Sequence, residues 1–318
     1  MTVLLLFLGF ALLIKGADYF VDGASSLAAA LRISPMLIGL TVVAFGTSAP
    51  EASVSFIAAL EGNSNVAIGN VVGSNLFNTT LILGVASLVF PLVVKSETIR
   101  KEIPFALLAG AALLVLIGDI PLQQAEAIWI TRTEGLVLLL FFAVFLYYVF
   151  EVARNNREKE DPDAEKIAVT GWVRNLAATA GGIIGIVLGG NLVVENSIKI
   201  ALSLGMSETL VGLTIVAVGT SLPELVTSVT AALKKHTEIA LGNVIGSNIF
   251  NIFFILGISS VIHPLTVDPK IINDVWLMIF VTFLVLVLSR TQHRISKKEG
   301  AFLVVIYVIY LALIILRN

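Results

Sequence analysis

Two glutamates stand where an apolar chain has least use for them. Glu51 follows Pro50 in "VAFGTSAPEAS", residues 43 to 53, and Glu224 follows Pro223 in "VAVGTSLPELV", residues 216 to 226. Proline inside a helix removes one hydrogen bond and crowds the carbonyl one turn back. Each proline therefore loosens the backbone around Gly46–Thr47 and Gly219–Thr220, and the glycines ease an irregular turn there. Thr47 and Thr220 lie four residues before the acids, a spacing that puts both groups on one face if the helix is intact. The segments that follow, "GNVVGSNLFN" and "GNVIGSNIFN", space Ser74 from Asn78 and Ser247 from Asn251 in the same way. All of these groups offer oxygen and none offers sulfur, a donor set that suits hard ions such as Na+ and Ca2+ rather than zinc or copper.

Charge sharpens the reading. If the two carboxylates approach to ~5 Å, their repulsion at an effective dielectric of ~20 is about 3 kcal/mol. Desolvation adds to it, so the pair needs a divalent cation, several monovalent ones, or protons. A site that must always be filled, by interchangeable ions, is the physical basis of an exchanger.

The rest of the chain says where such a site would sit. Of 318 residues, 57% are hydrophobic and 13% charged, with a mean hydropathy of +0.98. A soluble domain carries about 25% charge, so this composition points to a membrane protein. There are no cysteines, which excludes disulfides and thiolate metal sites. Residues 1 to 14 lack the basic start of a secretory signal, since the first basic residue is Lys15; they read as part of a first span.

An internal repeat organises the whole. Shifted by 173, residues 34 to 84 align without a gap on 207 to 257, with 28 of 51 positions identical. The weaker match of "GADYFVD" to "GGNLVVE" keeps that offset and pairs Asp22 with Glu195. Hydropathy divides each half into five spans, near 1–30, 36–60, 66–91, 103–119 and 133–152, then 174–203, 209–233, 238–263, 271–289 and 300–316. The expected fold is all-α and integral to the membrane: ten helices in two five-helix repeats, residues 1–152 and 172–318, joined by a polar linker at 153–171. Alternate connections hold 15 of the 20 Lys and Arg, so the linker is expected in the cytoplasm and both termini outside. An odd number of spans then inverts the second repeat relative to the first, a transporter's construction with its site near the midplane.

Other features carry plainer readings. Gly69, Gly73, Gly242 and Gly246, in small-xxx-small spacing, are expected to let helices approach closely. Asn75 and Asn248 fit either packing or the site. Lys15, Asp18 and Asp22 form a helical stripe and Glu195 precedes Lys199 by four, which suggests local ion pairing or aqueous edges rather than transport. His236, His263 and His293 fall at span ends, where they are expected to be solvated.

In its repeated words, "GTSAPE" with "GNVVGSNLFN" and "GTSLPE" with "GNVIGSNIFN", the chain resembles the sodium/calcium exchanger family of the cation/calcium antiporter superfamily, in its compact prokaryotic form. The resemblance implies ten helices around a diamond of four cation sites, no enzymatic activity and no prosthetic group. Glu51 and Glu224 would be shared by the calcium and sodium sites. Thr47 and Thr220 would supply carbonyl and hydroxyl oxygens, and Ala44 and Ala217 carbonyls. Ser48, Ser221, Ser74 and Ser247 would complete the outer and inner sodium positions, with Asn78 and Asn251 flanking the middle one. The first and sixth spans would slide to alternate access. Potassium-dependent members have an aspartate where this chain has Asn251, so no potassium requirement is expected. The implied protein is an electrogenic Na+/Ca2+ antiporter of the cell membrane, working as a monomer in the lipid bilayer and binding no nucleic acid. The nearest rival is a Ca2+/H+ antiporter, since two protons also neutralise two glutamates. A cation channel and an intramembrane acid protease, whose paired carboxylates share a proton, fit the inverted words less well.

Overall fold

The computed structural model of the protein describes residues 2–118, 128–157, 172–204 and 217–317. They are overwhelmingly helical. The first helix, α1, runs Thr2–Leu31. Next come α2 (Pro35–Thr47) and α3 (Ala49–Leu60), which meet at an angle of 50°. Then follow α4 (Ser64–Val89), α5 (Ser96–Arg100), α6 (Glu102–Leu116) and α7 (Arg132–Arg157). The second half supplies α8 (Trp172–Ser203), one turn at Ala217–Gly219, α9 (Leu222–Leu233), α10 (Thr237–Ile262), α11 (Pro269–Gln292) and α12 (Lys297–Arg317). Seven of these are long and apolar enough to cross a membrane, and eight if the bent pair α2–α3 is one span. The start of the expected span 209–233, the end of 103–119 and the linker beyond residue 157 lie outside the described residues.

Local chemistry sets the helix ends. Ser34 caps α2 through the Leu37 N–H, with Pro35 following at the first helical position, and Asp268 caps α11 in the same manner ahead of Pro269. Two capping boxes open α7 and α12: Glu134 accepts from the Thr131 N–H at 2.6 Å and Glu299 from the Ser296 N–H at 2.7 Å, while the hydroxyls accept in return. Gly62 closes α3 at φ +73°, a conformation open to glycine. Its counterpart, Lys235, adopts φ +63° without that freedom.

Burial ranks the helices. The most apolar windows of α4 and α10 are 78% buried, whereas those of α1, α7, α8, α11 and α12 are 17% to 33% buried. The two central helices are therefore enclosed, and the outer ones turn residues such as Phe7, Leu140, Phe280 and Ile309 outward. That is the surface expected of a protein solvated by lipid. Two short antiparallel ladders staple first-half strands to second-half ones. Leu92–Val93 (β1) pairs with Arg294–Ile295 (β4), and Trp129–Ile130 (β2) with Leu265–Thr266 (β3).

Along α1 and α8 the backbones themselves touch. A Cβ on Gly16 would lie 2.7 Å from the Ile186 nitrogen, one on Gly9 2.9 Å from the Val193 nitrogen, and one on Gly189 2.5 Å from the Leu13 nitrogen. No side chain larger than hydrogen fits this seam. A cross-half ion pair fixes α1 to α9. Lys234 Nζ reaches Asp18 Oδ1 at 2.5 Å and Asp22 Oδ1 at 2.7 Å, and it donates to the Asp18 carbonyl at 2.9 Å. The electrostatic pull of Lys15 on Asp18 is thus joined by direct contacts from a lysine of the other half, which takes both acids. Glu195 and Lys199 do face each other, at 4.0 Å.

Gly242 and Gly246 approach as expected. Their Cβ positions fall 2.7 Å from the Met36 carbonyl and 2.5 Å from the Leu40 carbonyl, so α10 lies directly on α2. No described atom lies within 4 Å of the equivalent points on Gly69 and Gly73. The segment related to residues 36–44 by the repeat is 209–217, of which 209–216 lie outside the described residues.

Candidate functional site

Both repeats break at the same serine. Ser48 has φ −80° and ψ 8°, Ser221 φ −90° and ψ 7°, and a new helix starts immediately after each. The prolines two positions on explain the break, since neither can donate to the carbonyl of Gly46 or Gly219. The break corrects one expectation: Thr47 and Glu51 do not share the face of an intact helix. Thr47 Oγ1 instead lies 3.0 Å from Asn243 Oδ1, 3.1 Å from the Val43 carbonyl and 3.3 Å from the Ala44 carbonyl. Thr220 Oγ1 likewise points to Asn70 Oδ1, at 3.4 Å. The Ala44 carbonyl also accepts the Ser48 N–H at 2.9 Å, and the Ala217 backbone forms the single turn before Thr220.

The break aims each serine at the opposite repeat. Ser48 Oγ donates to Glu224 Oε1 at 2.9 Å, and Ser221 Oγ donates to Glu51 Oε1 at 2.8 Å. Behind them Ser247 Oγ lies 2.9 Å from Ser48 Oγ, and Ser74 Oγ lies 3.1 Å from Ser221 Oγ. A hydroxyl has a single proton, so each inner serine that gives its own to a carboxylate must accept from the one behind. The expected residues are therefore gathered in two crossed relays, Ser247–Ser48–Glu224 and Ser74–Ser221–Glu51. Both glutamates are 1% exposed.

Asparagines complete the frame. Asn78 begins the wide turn Asn78–Ile82 and Asn251 is the second residue of its counterpart Phe250–Leu256, where the helical hydrogen bonds lengthen by a residue. Such turns recur at functional sites. Asn78 donates its amide to Asn248 Oδ1 at 3.2 Å, and Asn251 donates to Asn75 Oδ1 at 3.0 Å. Asn75 donates in turn to the Asn248 carbonyl, and Asn248 to Thr79 Oγ1. Asn75 and Asn248 thus hold the amides of Asn78 and Asn251 in place. Two further residues escaped assignment from sequence although the repeat pairs them. Asn70 donates to the Glu51 carbonyl and Ser55 Oγ, at 3.0 and 2.9 Å, and Asn243 to the Glu224 carbonyl and Ser228 Oγ, at 3.4 and 2.9 Å. They tie α3 to α4 and α9 to α10 beside the acids.

What remains unpaired is all of one kind. In this constellation Glu51 Oε2, Glu224 Oε2, Asn78 Oδ1 and Asn251 Oδ1 are buried without a hydrogen-bond partner among the described residues. Every one is an acceptor. Leaving a buried acceptor unsatisfied costs about 1–3 kcal/mol, more when it is charged. A group of hard oxygens with no donor facing them fits a hard cation. Two carboxylates fall short of the about six to eight oxygens that calcium takes, so neutral amide and hydroxyl oxygens would complete any coordination sphere here.

Comparison with known proteins gives the family. The family model described as sodium/calcium exchanger protein matches residues 1–151 and 175–316. The chain belongs to the sodium/calcium exchanger family, whose members are antiporters rather than enzymes. It is 35% identical to the sodium/calcium exchanger MaX1 of Methanosarcina acetivorans over 350 residues, covering 98% of this chain and 97% of that one. It is 34% identical to the inner membrane protein YrbG of Escherichia coli over 319 residues, covering 98% and 95%. The sodium-calcium exchanger NCX_Mj, soaked with zero Na+ and Ca2+, matches with a TM-score of 0.83 at 31% identity, over 98% of each chain. The same protein soaked with 2.5 mM Na+ and 1 mM Sr2+ matches with a TM-score of 0.85. The chain is accordingly a multi-pass membrane protein of the compact prokaryotic type, and a cation/Ca2+ antiporter.

Proposed function

We propose that the protein exchanges Na+ for Ca2+ across the cell membrane by alternating access, electrogenically and without potassium. The observation that carries this reading is the set of four unpartnered oxygens, two carboxylate and two amide. One Ca2+ balances two carboxylates in charge and uses neutral oxygens as further ligands, and several Na+ ions can take its place. Asparagine at 251 as well as 78 keeps the formal charge of the cage at two. If three Na+ replace one Ca2+, one net charge crosses per cycle, which couples exchange to voltage by ~2.3 kcal/mol per 100 mV.

In this reading Glu51 and Glu224 bind both ions, and Ser48, Ser221, Ser74, Ser247, Thr47, Thr220, Asn78, Asn251 and the carbonyls of Ala44 and Ala217 shape the surrounding positions. Residues 1–152 and 172–318 act as inverted five-helix units, with the linker 153–171 in the cytoplasm and the termini outside. The helices α1 and α8 move together to open one side or the other, and a single chain suffices.

The test is radiolabelled Ca2+ uptake into sodium-loaded proteoliposomes under an imposed potential. Uptake that follows the sodium gradient and responds to voltage is expected. Uptake driven by a pH gradient with sodium absent would assign the protein to Ca2+/H+ exchange instead. Uptake indifferent to voltage would remove the three-for-one stoichiometry.

A further inference from the structure

Glu102 opens α6 and is 4% exposed. Tyr148 donates its hydroxyl to Glu102 Oε1, while Glu102 Oε2 is buried with no partner among the described residues. Glu238, in the first turn of α10, repeats the pattern: Oε1 holds Lys95 Nζ at 2.8 Å and Oε2 is buried and unpartnered. Both line one cavity of about 160 Å3, together with Ser34, Lys95, Glu97 and Thr98. The central cage accounts for neither acid.

We infer that this cavity is a second cation site, formed by Glu102 and Glu238 with hydroxyl oxygens around them, that takes a divalent ion of the calcium type. Beside the apolar Met36, Leu37 and Val152, the acceptors in the lining are again hard oxygens, and the volume admits a partly hydrated ion, a water occupying about 30 Å3 of liquid. The two carboxylates with a buried unpartnered oxygen, Glu102 and Glu238, stand against the one ammonium of Lys95, which leaves negative charge to balance when the acids are ionised. Lys95 serves as a built-in counter-ion, and with 55% of its side chain exposed it can swing out when a cation enters. The nearby Lys101 does not take that role, because its ammonium lies over the Tyr148 ring, 5.9 Å from the centroid. The site spans both repeats: Ser34 caps the helix leading to Ser48, and Glu238 begins the helix carrying Ser247 and Asn251. An ion held here would brace the two segments that build the central cage.

The experiment uses the full chain carrying Glu51→Gln and Glu224→Gln, which disables the central cage whatever that cage transports. Terbium serves as the calcium probe, its luminescence sensitised by Tyr148 beside Glu102. A saturable signal displaced by Ca2+ is expected. Tyr148→Phe should abolish the signal while radiolabelled Ca2+ still binds, and Glu102→Gln should abolish both. Lys95→Ala, at an exposed position that leaves folding intact, should tighten Ca2+ binding several-fold by removing the competing ammonium. A signal that survives Glu102→Gln, or a Lys95→Ala affinity that is unchanged or weaker, would overturn the assignment.

Discussion

Ser221 Oγ meets Glu51 Oε1 at 2.8 Å, although 170 positions separate the two residues and each belongs to a different repeat. Ser48 and Glu224 mirror the contact at 2.9 Å. Each acid is thus held by the residue that breaks the other acid's helix, so neither half contains a complete site.

Glu51→Gln and Glu224→Gln should each reduce sodium-driven Ca2+ uptake to background. They should not unfold the protein, because a neutral amide replaces a buried charge that lacks a full set of partners. Thermal unfolding with and without Ca2+ checks this. Wild type gains about 2.7 kcal/mol at a ligand concentration of 100 Kd, and each variant should lose most of that gain.

Ser48→Ala should remove the hydroxyl that donates to Glu224 Oε1 at 2.9 Å, at a cost of about 1.5–3 kcal/mol for a hydrogen bond to a charged group. In a Glu224→Gln background the same substitution should cost less than half as much. A double-mutant cycle on denaturant-induced unfolding reads the coupling, and additive effects would mean that the crossed contact contributes nothing.

Lys234 is the point where α1 is fastened to α9. The repeat places Glu61, Asn191 and Glu195 at the positions equivalent to Lys234, Asp18 and Asp22, so the opposite end lacks the cation for such a bridge. Lys234→Gln should free that end of α1 and raise the reactivity of single cysteines introduced nearby towards polar thiol reagents. The native chain has no cysteine to confuse the assay. Asp18→Asn with Asp22→Asn should give the same shift, and unchanged reactivity in both would contradict the fastening.

Gly246→Ala should destabilise the protein by roughly 1–3 kcal/mol, the usual range for overpacking. Its new methyl would sit 2.5 Å from the Leu40 carbonyl, a backbone atom that cannot swing aside. Unfolding in detergent measures it, and a neutral result would mean that α2 and α10 stand further apart than described.

Much of this was legible in the sequence because the repeat writes it twice. Glu51 and Glu224 drew notice as buried acids, and the serines and asparagines followed from their matched words. The orientation of Thr47 did not, since a four-residue spacing predicts a shared face only while the helix continues, and it stops at Ser48. The partner of Asp18 and Asp22 was equally out of reach: spacing along one helix shows Lys15, but only the folded chain brings Lys234 across. Asn70 and Asn243 were visible as identical pairs, yet no local pattern says that an amide will brace a neighbouring helix. The capping boxes at Thr131–Glu134 and Ser296–Glu299 carry a readable signature, a hydroxyl residue three positions before a glutamate.

The glycine seam between α1 and α8 bears on what kind of machine this is. Helices meshed by large side chains must climb over one another's ridges to shift, but two that meet at Gly9, Gly16 and Gly189 present nearly bare backbone. Backbones this close leave neither helix room to slip past the other without opening the seam, so the grip of Lys234 on α1 restrains α8 as well.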